Sequence, residues 1–273
     1  HSRSVFFRVY PHCTGSDCGI SRGNDGDSHG QALVRRHHQT HAISPAMTIA
    51  WVIGSGGLLG SALSSALRNK GTTVFSPAQA FSWRDSSRLQ SQFTAAIQSF
   101  ALQVPLADNW EMYWAAGVGT MGSSAQQMTQ ETEAFSVFFK LFEAEPALIG
   151  TRGSIAFASS AGAIYAGCTH NIIDDDTAPA PTTPYAQEKL KQEVLLRAFA
   201  ARNNILSVLL ARISTLYGPG GAIGKPQGLI THMARCLLRN QPIQIYVPLD
   251  TIRDYITADD AARMIIATVY ETS

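Results

Sequence analysis

The sequence predicts an α/β protein built on a doubly wound parallel sheet, and three features of the chain lead to this prediction. Short apolar runs alternate along the chain with segments whose apolar residues recur at helical spacing. The first run, 48–53, passes through a glycine-rich turn directly into a helical pattern over 61–67. The chain has 273 residues, of which 45% are apolar and 15% charged, and this is enough to bury a large core.

The glycine-rich turn has the order of parts that a dinucleotide phosphate site needs. Gly54, Gly57 and Gly60 follow the spacing Gly-x-x-Gly-x-x-Gly between the apolar run and the helix. Glycines let the backbone turn tightly beside a pyrophosphate, and the helix N-terminus offers free N–H groups to it. A plain strand-to-helix turn is the alternative interpretation of this spacing. The expected cofactor contacts in this turn are Gly54, Ser55, Gly57, Leu58, Leu59 and Gly60.

The second strand, predicted over 72–76, bears on the choice between NAD and NADP. Where an NAD site usually has an acid that bonds the ribose 2′-OH, this chain has Ser76, which we expect to contact the cofactor. Arg84 and Arg88 follow closely and could meet a 2′-phosphate, which favours NADP over NAD. Solvated surface charge is the alternative interpretation of both arginines.

The third strand, predicted over 110–117, should border the cofactor. It ends in Ala115, Ala116 and Gly117, and small residues at the carboxyl end of a strand let a cofactor lie across the edge of the sheet. Amphipathic helices are predicted before and after this strand, over 86–103 and 123–145. The second helix carries an aromatic cluster that we interpret as core or as a subunit contact: Phe135, Phe138, Phe139 and Phe142.

A serine, a tyrosine and a lysine are predicted to form a proton-transfer site. The strand 153–160 ends in Ser159 and Ser160, and the helix that opens at Tyr185 carries Lys189 one turn further on. A phenol has a pKa of about 10, which is too high for a base at neutral pH, and a neighbouring ammonium favours the phenolate. We therefore predict Ser160, Tyr185 and Lys189 as catalytic residues, with Ser159 in reserve. Ser159, Tyr185 and Lys189 are also expected to contact the cofactor.

Five motifs, taken together, resemble one known family. They are the glycine turn 54–60, Ser159-Ser160 with Tyr165, the pair Tyr185 and Lys189, and the segments 212–219 (Arg-Ile-Ser-Thr-Leu-Tyr-Gly-Pro) and 253–260 (Arg-Asp-Tyr-Ile-Thr-Ala-Asp-Asp). In these motifs the chain, from 48 to about 270, resembles the extended short-chain dehydrogenase/reductase superfamily and its NAD-dependent epimerase/dehydratase family.

The resemblance implies a Rossmann-type fold and assigns roles to residues of this sequence. Tyr185 would be the acid/base, and Lys189 would stabilise the phenolate while bonding the nicotinamide ribose. Ser160 would orient the reacting oxygen, and Arg253 would contact the substrate diphosphate.

Three departures from the family's pattern narrow these implications. Ala161 stands where the family often has serine or threonine, four residues before Tyr165. Ala161-Gly162 also replaces the Asp-Glu pair of the 4,6-dehydratases, which disfavours β-elimination chemistry. Thr215, which we expect as a substrate contact, replaces the asparagine usual in its motif.

The predicted function is that of an NAD(P)-dependent epimerase or reductase acting on a nucleotide sugar. The resemblance implies that Tyr185 takes a proton from a sugar hydroxyl as hydride passes to the nicotinamide. Two alternatives stay open: a reductase of another small carbonyl compound, which would use the same residues, and a non-catalytic NAD(P)-binding regulator.

The chain is predicted to divide into four parts. Residues 1–46 look foreign to the fold, as a disordered or non-native leader, and 47–219 form the dinucleotide-binding domain. Residues 220–250, with a helix over 229–238 and a strand over 243–247, would begin a substrate-binding part. Residues 251–273 would return to the main domain. Ending at 273 suggests either a truncated gene fragment or a reduced substrate lid.

Composition excludes several classes of function. A formal net charge of +1 gives no case for nucleic acid or a membrane surface, and no apolar run is long enough to span a bilayer. Four scattered cysteines do not form a disulfide framework, so we expect a reducing cytoplasm. A zinc site at His12, Cys13, Cys18 and His29 would rest on one Cys-x4-Cys pair, so no metal is predicted. The resemblance implies a homodimer through the helices 123–145 and 185–199.

Overall fold

A six-stranded sheet forms the centre of the computed structural model, which describes residues 5–10, 47–169, 172–174, 176–203, 205–219, 228–245 and 251–272. In chain order its strands are β1 Val5–Tyr10, β2 Thr48–Ile53, β3 Thr73–Phe75, β4 Asn109–Trp114, β5 Gly153–Ser160 and β6 Leu206–Ile213. They lie in the order β1-β6-β5-β4-β2-β3, and β2 to β6 run parallel.

The winding of the chain reverses at β2. The chain first moves from β2 to β3 at one edge and then crosses back to β4 on the other side of β2. Ligands of open α/β sheets bind outside the carboxyl ends of the strands at such a reversal. The predicted doubly wound sheet is confirmed, and its binding crevice lies at the carboxyl ends of β2 and β4.

Helices cover both faces of the sheet. They are α1 Leu58–Asn69, α2 Ser86–Ala101, α3 Ala125–Glu143, α4 Pro146–Ile149, α5 Ala161–Ile164, α6 Pro184–Arg202, α7 Gly228–Leu238 and α8 Ala258–Thr272, with a 3-10 turn at Val104–Leu106. One face of the sheet packs on α2, α3 and α6, and the other packs on α1 and α8.

The alternation of side chains along β2 explains why its sequence from Ile49 to Ile53 is apolar. Trp51 belongs to the core under α2 and α3, whereas Ala50 and Val52 belong to the core under α1 and α8. Both faces of this part of the strand are covered, so both sets of alternating side chains are apolar. The aromatic cluster predicted as core on α3 is confirmed, since these four side chains are buried: Phe135, Phe138, Phe139 and Phe142.

Strand β1 comes from the segment that the sequence analysis placed outside the fold. It pairs antiparallel with β6 at the sheet edge, from Val5 opposite Ile213 to Tyr10 opposite Val208. Its sequence, Val-Phe-Phe-Arg-Val-Tyr, is rich in residues that favour strands. A run of six residues within a polar segment does not indicate which strand it pairs with, because its partner lies about 200 residues away in the chain. The residues considered for zinc, between 12 and 29, lie outside the described part of the chain.

The C-terminal part adds a second, two-stranded sheet. This sheet consists of two parallel strands, β7 Thr215–Tyr217 and β8 Tyr255–Thr257, and β7 follows β6 of the main sheet after one residue. The predicted helix over 229–238 is confirmed as α7. Of the predicted strand 243–247, residues 243–245 are described and are not in a strand, and the rest lie outside the described residues.

Candidate functional site

The glycine turn brings the end of β2 against the end of β4. Gly54 has a φ of +92°, and a Cβ there would lie 2.5 Å from the backbone nitrogen of Ala116. A Cβ at Gly60 would overlap the carbonyl oxygen of Gly54, to which the Gly57 N–H donates a hydrogen bond of 2.9 Å. By contrast, a Cβ at Gly56 would have no atom within 4 Å. The first and last glycines of the motif are therefore required by close backbone approach, and Gly56 is not.

The N-terminus of α1 is left open for an anion. Gly57 is its N-cap, no side chain caps the helix, and its first turn holds no acidic residue. The first N–H groups of a helix have no partner within the helix, and they lie at the positive end of its dipole. The predicted contacts Ser55, Leu58 and Leu59 belong to this turn. These features fit the phosphates of a dinucleotide.

The small residues predicted at the end of β4 adjoin the glycine turn. The Ala115 N–H donates to the Ile53 carbonyl at 2.9 Å, and Ala116 touches Gly54. Gly117 has a φ of +157°, and a Cβ there would lie 2.9 Å from Oε1 of Glu131. The crevice edge is thus lined by backbone, which leaves room for a flat ligand.

Tyr185 and Lys189 lie on one face of α6. The helix begins after Thr183, whose hydroxyl accepts a hydrogen bond from the Ala186 N–H at 3.2 Å, and Pro184 occupies its first position. The Lys189 Nζ lies 6.0 Å from the centre of the Tyr185 ring. Lys189 is only 4% exposed, whereas Tyr185 is partly exposed. The spacing predicted from the sequence thus places the ammonium beside the phenol.

The Lys189 ammonium is held by two residues that the sequence analysis did not identify. It donates to Oε1 of Gln192 at 3.3 Å and forms an ion pair of 3.6 Å with Oε1 of Glu131 on α3. It also lies 5.0 Å from the centre of the Phe157 ring on β5. Gln192 was identifiable from its spacing on α6, but nothing local to Glu131 indicates its partner.

The loop after β4 connects the glycine turn to Tyr185. The N–H groups of Val118 and Gly119 donate to Oε2 of Glu131 at 3.1 and 3.2 Å. A Cβ at Gly119 would lie 3.0 Å from Cδ2 of Tyr185 and would overlap Met128. The backbone of this loop therefore packs directly on the Tyr185 ring.

The two serines at the end of β5 have different environments. Ser159 is 5% exposed, and its hydroxyl donates to Oε1 of Glu193 at 2.7 Å. This hydrogen bond engages the Ser159 hydroxyl within the core, and the expected contact of Ser159 with the cofactor stays a prediction. Ser160 is partly exposed and forms the N-cap position of α5, while Ala161 is buried. Of the two, Ser160 is the hydroxyl open to a substrate.

A buried ion cluster ties α6 to β6. Arg212 donates to both carboxylate oxygens of Glu193, at 2.9 and 2.7 Å, and to the Tyr165 hydroxyl at 2.5 Å. Arg197 adds a further ion pair to Glu193 at 2.8 Å. Burial acts to raise the pKa of Glu193, but the hydrogen bonds and charge of Arg212 outweigh it and lower that pKa. Two motif residues, Tyr165 and Arg212, are thus structural partners.

The residues predicted to select NADP lie on the surface beside β3. Ser76 follows the carboxyl end of β3 and is exposed, as are Arg84 and Arg88. Asp85 caps α2 by accepting the Arg88 N–H at 3.0 Å. The hydrogen bond from that N–H is the main cause that lowers the pKa of Asp85.

Two of the predicted substrate contacts, Thr215 and Arg253, lie at or next to the second sheet. Thr215 begins β7, and its N–H donates to the carbonyl of Asp254 at 3.1 Å. This places Thr215 opposite the chain segment that contains Arg253, whose side chain is exposed. Two motifs about forty residues apart in sequence are therefore neighbours in the fold.

The part of the chain that the structure describes has neither a membrane-spanning helix nor a cluster of metal ligands. None of its helices combines the length and the apolar character that crossing a bilayer requires. Nor do its histidine, cysteine and acidic side chains come together in threes as a metal site would need.

The fold and the site together define a doubly wound α/β protein with a glycine turn between β2 and α1 and a tyrosine–lysine pair on α6. A sequence model of the NAD dependent epimerase/dehydratase family matches residues 50–272, and the chain belongs to this family.

Curated relatives match the chain over shorter segments. A dTDP-L-rhamnose 4-epimerase of Burkholderia thailandensis is 35% identical over 97 residues, which are 35% of this chain and 26% of the relative. A dTDP-4-dehydro-6-deoxyglucose reductase of Escherichia coli is 36% identical over 106 residues, 39% of this chain and 33% of the relative. A dTDP-glucose 4,6-dehydratase of Salmonella typhimurium is 32% identical over 100 residues, 37% and 27%. The matched segments thus span about a quarter to a third of these relatives' length.

Solved structures share the fold. The UDP-glucose 4-epimerase of Thermotoga maritima, solved with UDP-glucose, has a TM-score of 0.62 at 19% identity and covers 81% of this chain and 73% of its own. The UDP-glucose 4-epimerase of Thermus thermophilus, solved with NAD, has a TM-score of 0.63 at 20% identity and covers 82% and 75%.

Proposed function

We propose that the protein is an NAD(P)-dependent epimerase or reductase of a nucleotide sugar. The observation that supports this most directly is the continuous contact from the glycine turn to the tyrosine–lysine pair. Gly54 touches Ala116 at the end of β4, and Gly119 in the following loop packs on Tyr185. A cofactor held by its phosphates at α1 would therefore extend past β4 towards Tyr185. The sugar-nucleotide relatives support the substrate class.

The chain's own residues divide the proton chemistry among them. Tyr185, as phenolate, takes the proton of a sugar hydroxyl, and Lys189 stabilises that phenolate by its charge. The Ser160 hydroxyl holds the reacting oxygen. When bound, the nicotinamide supplies the site that accepts and returns hydride. In an epimerase Tyr185 returns its proton after the keto-sugar has presented its other face.

The remaining predicted residues would bind the two ligands. Arg253 and Thr215 would hold the substrate diphosphate, and the glycine turn would hold the pyrophosphate of the cofactor. Ser76 and Arg84 beside β3 favour NADP, although the Thermus thermophilus relative was solved with NAD. We keep 47–219 as the proposed cofactor-binding part and 220–250 as the proposed start of a substrate-binding part.

Reduction or epimerisation is favoured over 4,6-dehydration. The dehydratases of this family use an acid and a base directly after the strand-end hydroxyl, and this chain has Ala161 and Gly162 there. Ala161 is buried at the start of α5, and neither Ala161 nor Gly162 has an ionisable side chain that could act as this acid or base. Free Cys168 and Cys236 fit a reducing compartment such as the cytoplasm.

The proposal is tested first by titrating the protein with the reduced forms of NADP and of NAD while following the fluorescence of the reduced nicotinamide. Turnover is then measured on a panel of nucleotide sugars. We expect tighter binding of NADP and conversion of at least one sugar. Tighter binding of NAD would contradict the role given to Ser76 and Arg84, and binding without any turnover would favour a regulator.

The matched variants are Tyr185→Phe and Tyr270→Phe. Removing the Tyr185 hydroxyl should lower kcat by about 10²- to 10⁴-fold, because a general acid/base contributes about that factor. Tyr270 is 75% exposed on α8, so its variant should keep full activity. Equal activity of the two variants would end the assignment of Tyr185.

A further inference from the structure

Glu131 on α3 joins the two halves of the candidate site. Its Oε2 accepts the N–H groups of Val118 and Gly119, and these residues belong to the loop that packs on Tyr185. Its Oε1 lies 3.6 Å from the Nζ of Lys189. One carboxylate thus contacts both the loop that packs on the phenol and the ammonium beside the phenol.

This carboxylate is largely shielded from water. The Glu131 side chain is 16% exposed and the Lys189 side chain 5%. Oε1 of Glu131 is buried and accepts no hydrogen bond within the described part of the chain, so its charge faces the ammonium directly. Charges at this separation interact more strongly when water is excluded.

The other charged groups near Lys189 have their own partners. Glu188 pairs with Lys191 at 2.5 Å, and Glu193 is engaged by Arg212 and Arg197. From β5 the group that faces Lys189 is the neutral Phe157 ring. Along α6 it is the neutral amide of Gln192, whose Nε2 in turn donates to Thr132 on α3 at 3.0 Å. Within the described residues, Glu131 is the carboxylate in ion-pair range of Lys189.

We propose that Glu131 is a positioning residue for the Tyr185–Lys189 pair, and this inference rests on the proposed acid/base role of Tyr185. It orients the ammonium and holds the loop after β4 against the phenol. Its negative charge also offsets part of the positive charge by which Lys189 favours the phenolate. Removing the charge of Glu131 should therefore leave Lys189 to favour the phenolate alone.

The test is Glu131→Gln, with Glu133→Gln as the matched control. Glutamine keeps one oxygen that can accept the two loop N–H groups, and it replaces the charged oxygen that faces Lys189 with a neutral NH2 group. Glu133 lies two residues further along α3 and is exposed, so its variant makes the same charge change away from the site. Tyrosinate absorbance is titrated in each variant and in its Tyr185→Phe counterpart, and the difference gives the ionisation of Tyr185.

We expect Glu131→Gln to move the Tyr185 ionisation to lower pH by about one unit, a tenfold rise in the phenolate fraction at fixed pH. The acidic limb of the kcat profile should move by the same amount. Glu133→Gln should leave both in place. An ionisation that stays where it is in the wild type, or moves to higher pH, would overturn the proposal.

Two further measurements separate the possible failures. Glu131→Asp, which withdraws the carboxylate by one methylene, should move the ionisation in the same direction by less, and it serves if the glutamine variant does not fold. The absorbance titration needs no turnover. If the wild type converts no substrate, the proposed function fails, but the titration still decides whether Glu131 controls Tyr185.

Discussion

At the scale of single residues, two glycines of the same turn, Gly54 and Gly56, are under different steric constraints. Gly54 combines a left-handed φ with a backbone contact so close that a Cβ would clash with it, and Gly56 has neither. The motif's spacing includes Gly54 and leaves Gly56 out, but it does not show which contact requires a glycine. The difference arises from Ala116, which the fold brings against Gly54 from more than sixty residues away.

We predict that Gly54→Ala lowers the free energy of unfolding by at least about 2 kcal/mol, since it adds left-handed strain to a steric clash. The affinity of the Gly54→Ala variant for NAD(P) should fall as well, because the turn must shift to accommodate the methyl group. Gly56→Ala should stay within about 0.5 kcal/mol of the wild type. Urea unfolding of the three proteins measures this, and equal losses in both variants would contradict it.

At the scale of elements, the position of α6 depends on its buried ion cluster. Glu193 is fully buried one turn beyond Lys189 and is held by Arg212 from β6 and Ser159 from β5. A buried carboxylate is tolerated only when it is paired and hydrogen-bonded. The cluster therefore sets the depth and rotation of the helix that presents Tyr185.

We predict that Arg212→Met costs about 3–5 kcal/mol near neutral pH, because it leaves the buried Glu193 carboxylate with the Ser159 hydroxyl and the partly exposed Arg197 as its described partners. Arg202→Met is the control. It breaks an ion pair with Glu143 near the C-terminus of the same helix, where both side chains are substantially exposed, and should cost less than about 1 kcal/mol.

The pH dependence gives this prediction a second readout. In the wild type the pKa of Glu193 lies below its ordinary value of 4.5, so its stabilisation is present above that pH and is lost as the pH falls through the lowered pKa. In the Arg212→Met variant the hydrogen bonds and charge of Arg212 no longer outweigh the burial of Glu193. Ionisation of this carboxylate therefore lowers the stability of the folded state as the pH rises. Denaturation at about pH 4.5 and about pH 7.5 should show the larger deficit at the higher pH. A deficit that does not change between them would contradict the cluster's electrostatic role.

At the scale of the whole molecule, the binding crevice and the added strand lie far apart on one sheet. β1 borders β6, and β5 and β4 separate them from β2, where the glycine turn begins. Strand β1 supplies backbone partners to an otherwise open edge of β6. Its contribution to stability should therefore be separable from cofactor binding.

We predict that deleting residues 1–46 lowers the midpoint of thermal unfolding by about 5 °C or more and increases aggregation, because the deletion exposes the edge of β6. Affinity for NAD(P) in the folded fraction should be unchanged. An unaltered midpoint would show that β1 adds nothing to stability, and weakened cofactor binding would show that the two ends of the sheet are coupled.

The parts of this protein that the sequence predicted are those encoded by local patterns. The apolar runs, the helical spacing that puts Tyr185 and Lys189 on one face, and the glycine turn before α1 each depend on residues within a few positions of one another. Their physical causes, the period of side chains and the conformational freedom of glycine, act within a segment. The family resemblance rested on the same segments.

Tertiary structure alone decided what each segment meets. It turned Ser159 into the core and left Ser160 open, since a strand's two faces are told apart only by what packs on them. It paired β1 with β6 and brought Glu131 to Lys189, two contacts between segments far apart in the chain. Such contacts follow from how the faces of α3, α6 and the sheet pack together, and no local pattern in the sequence records that packing.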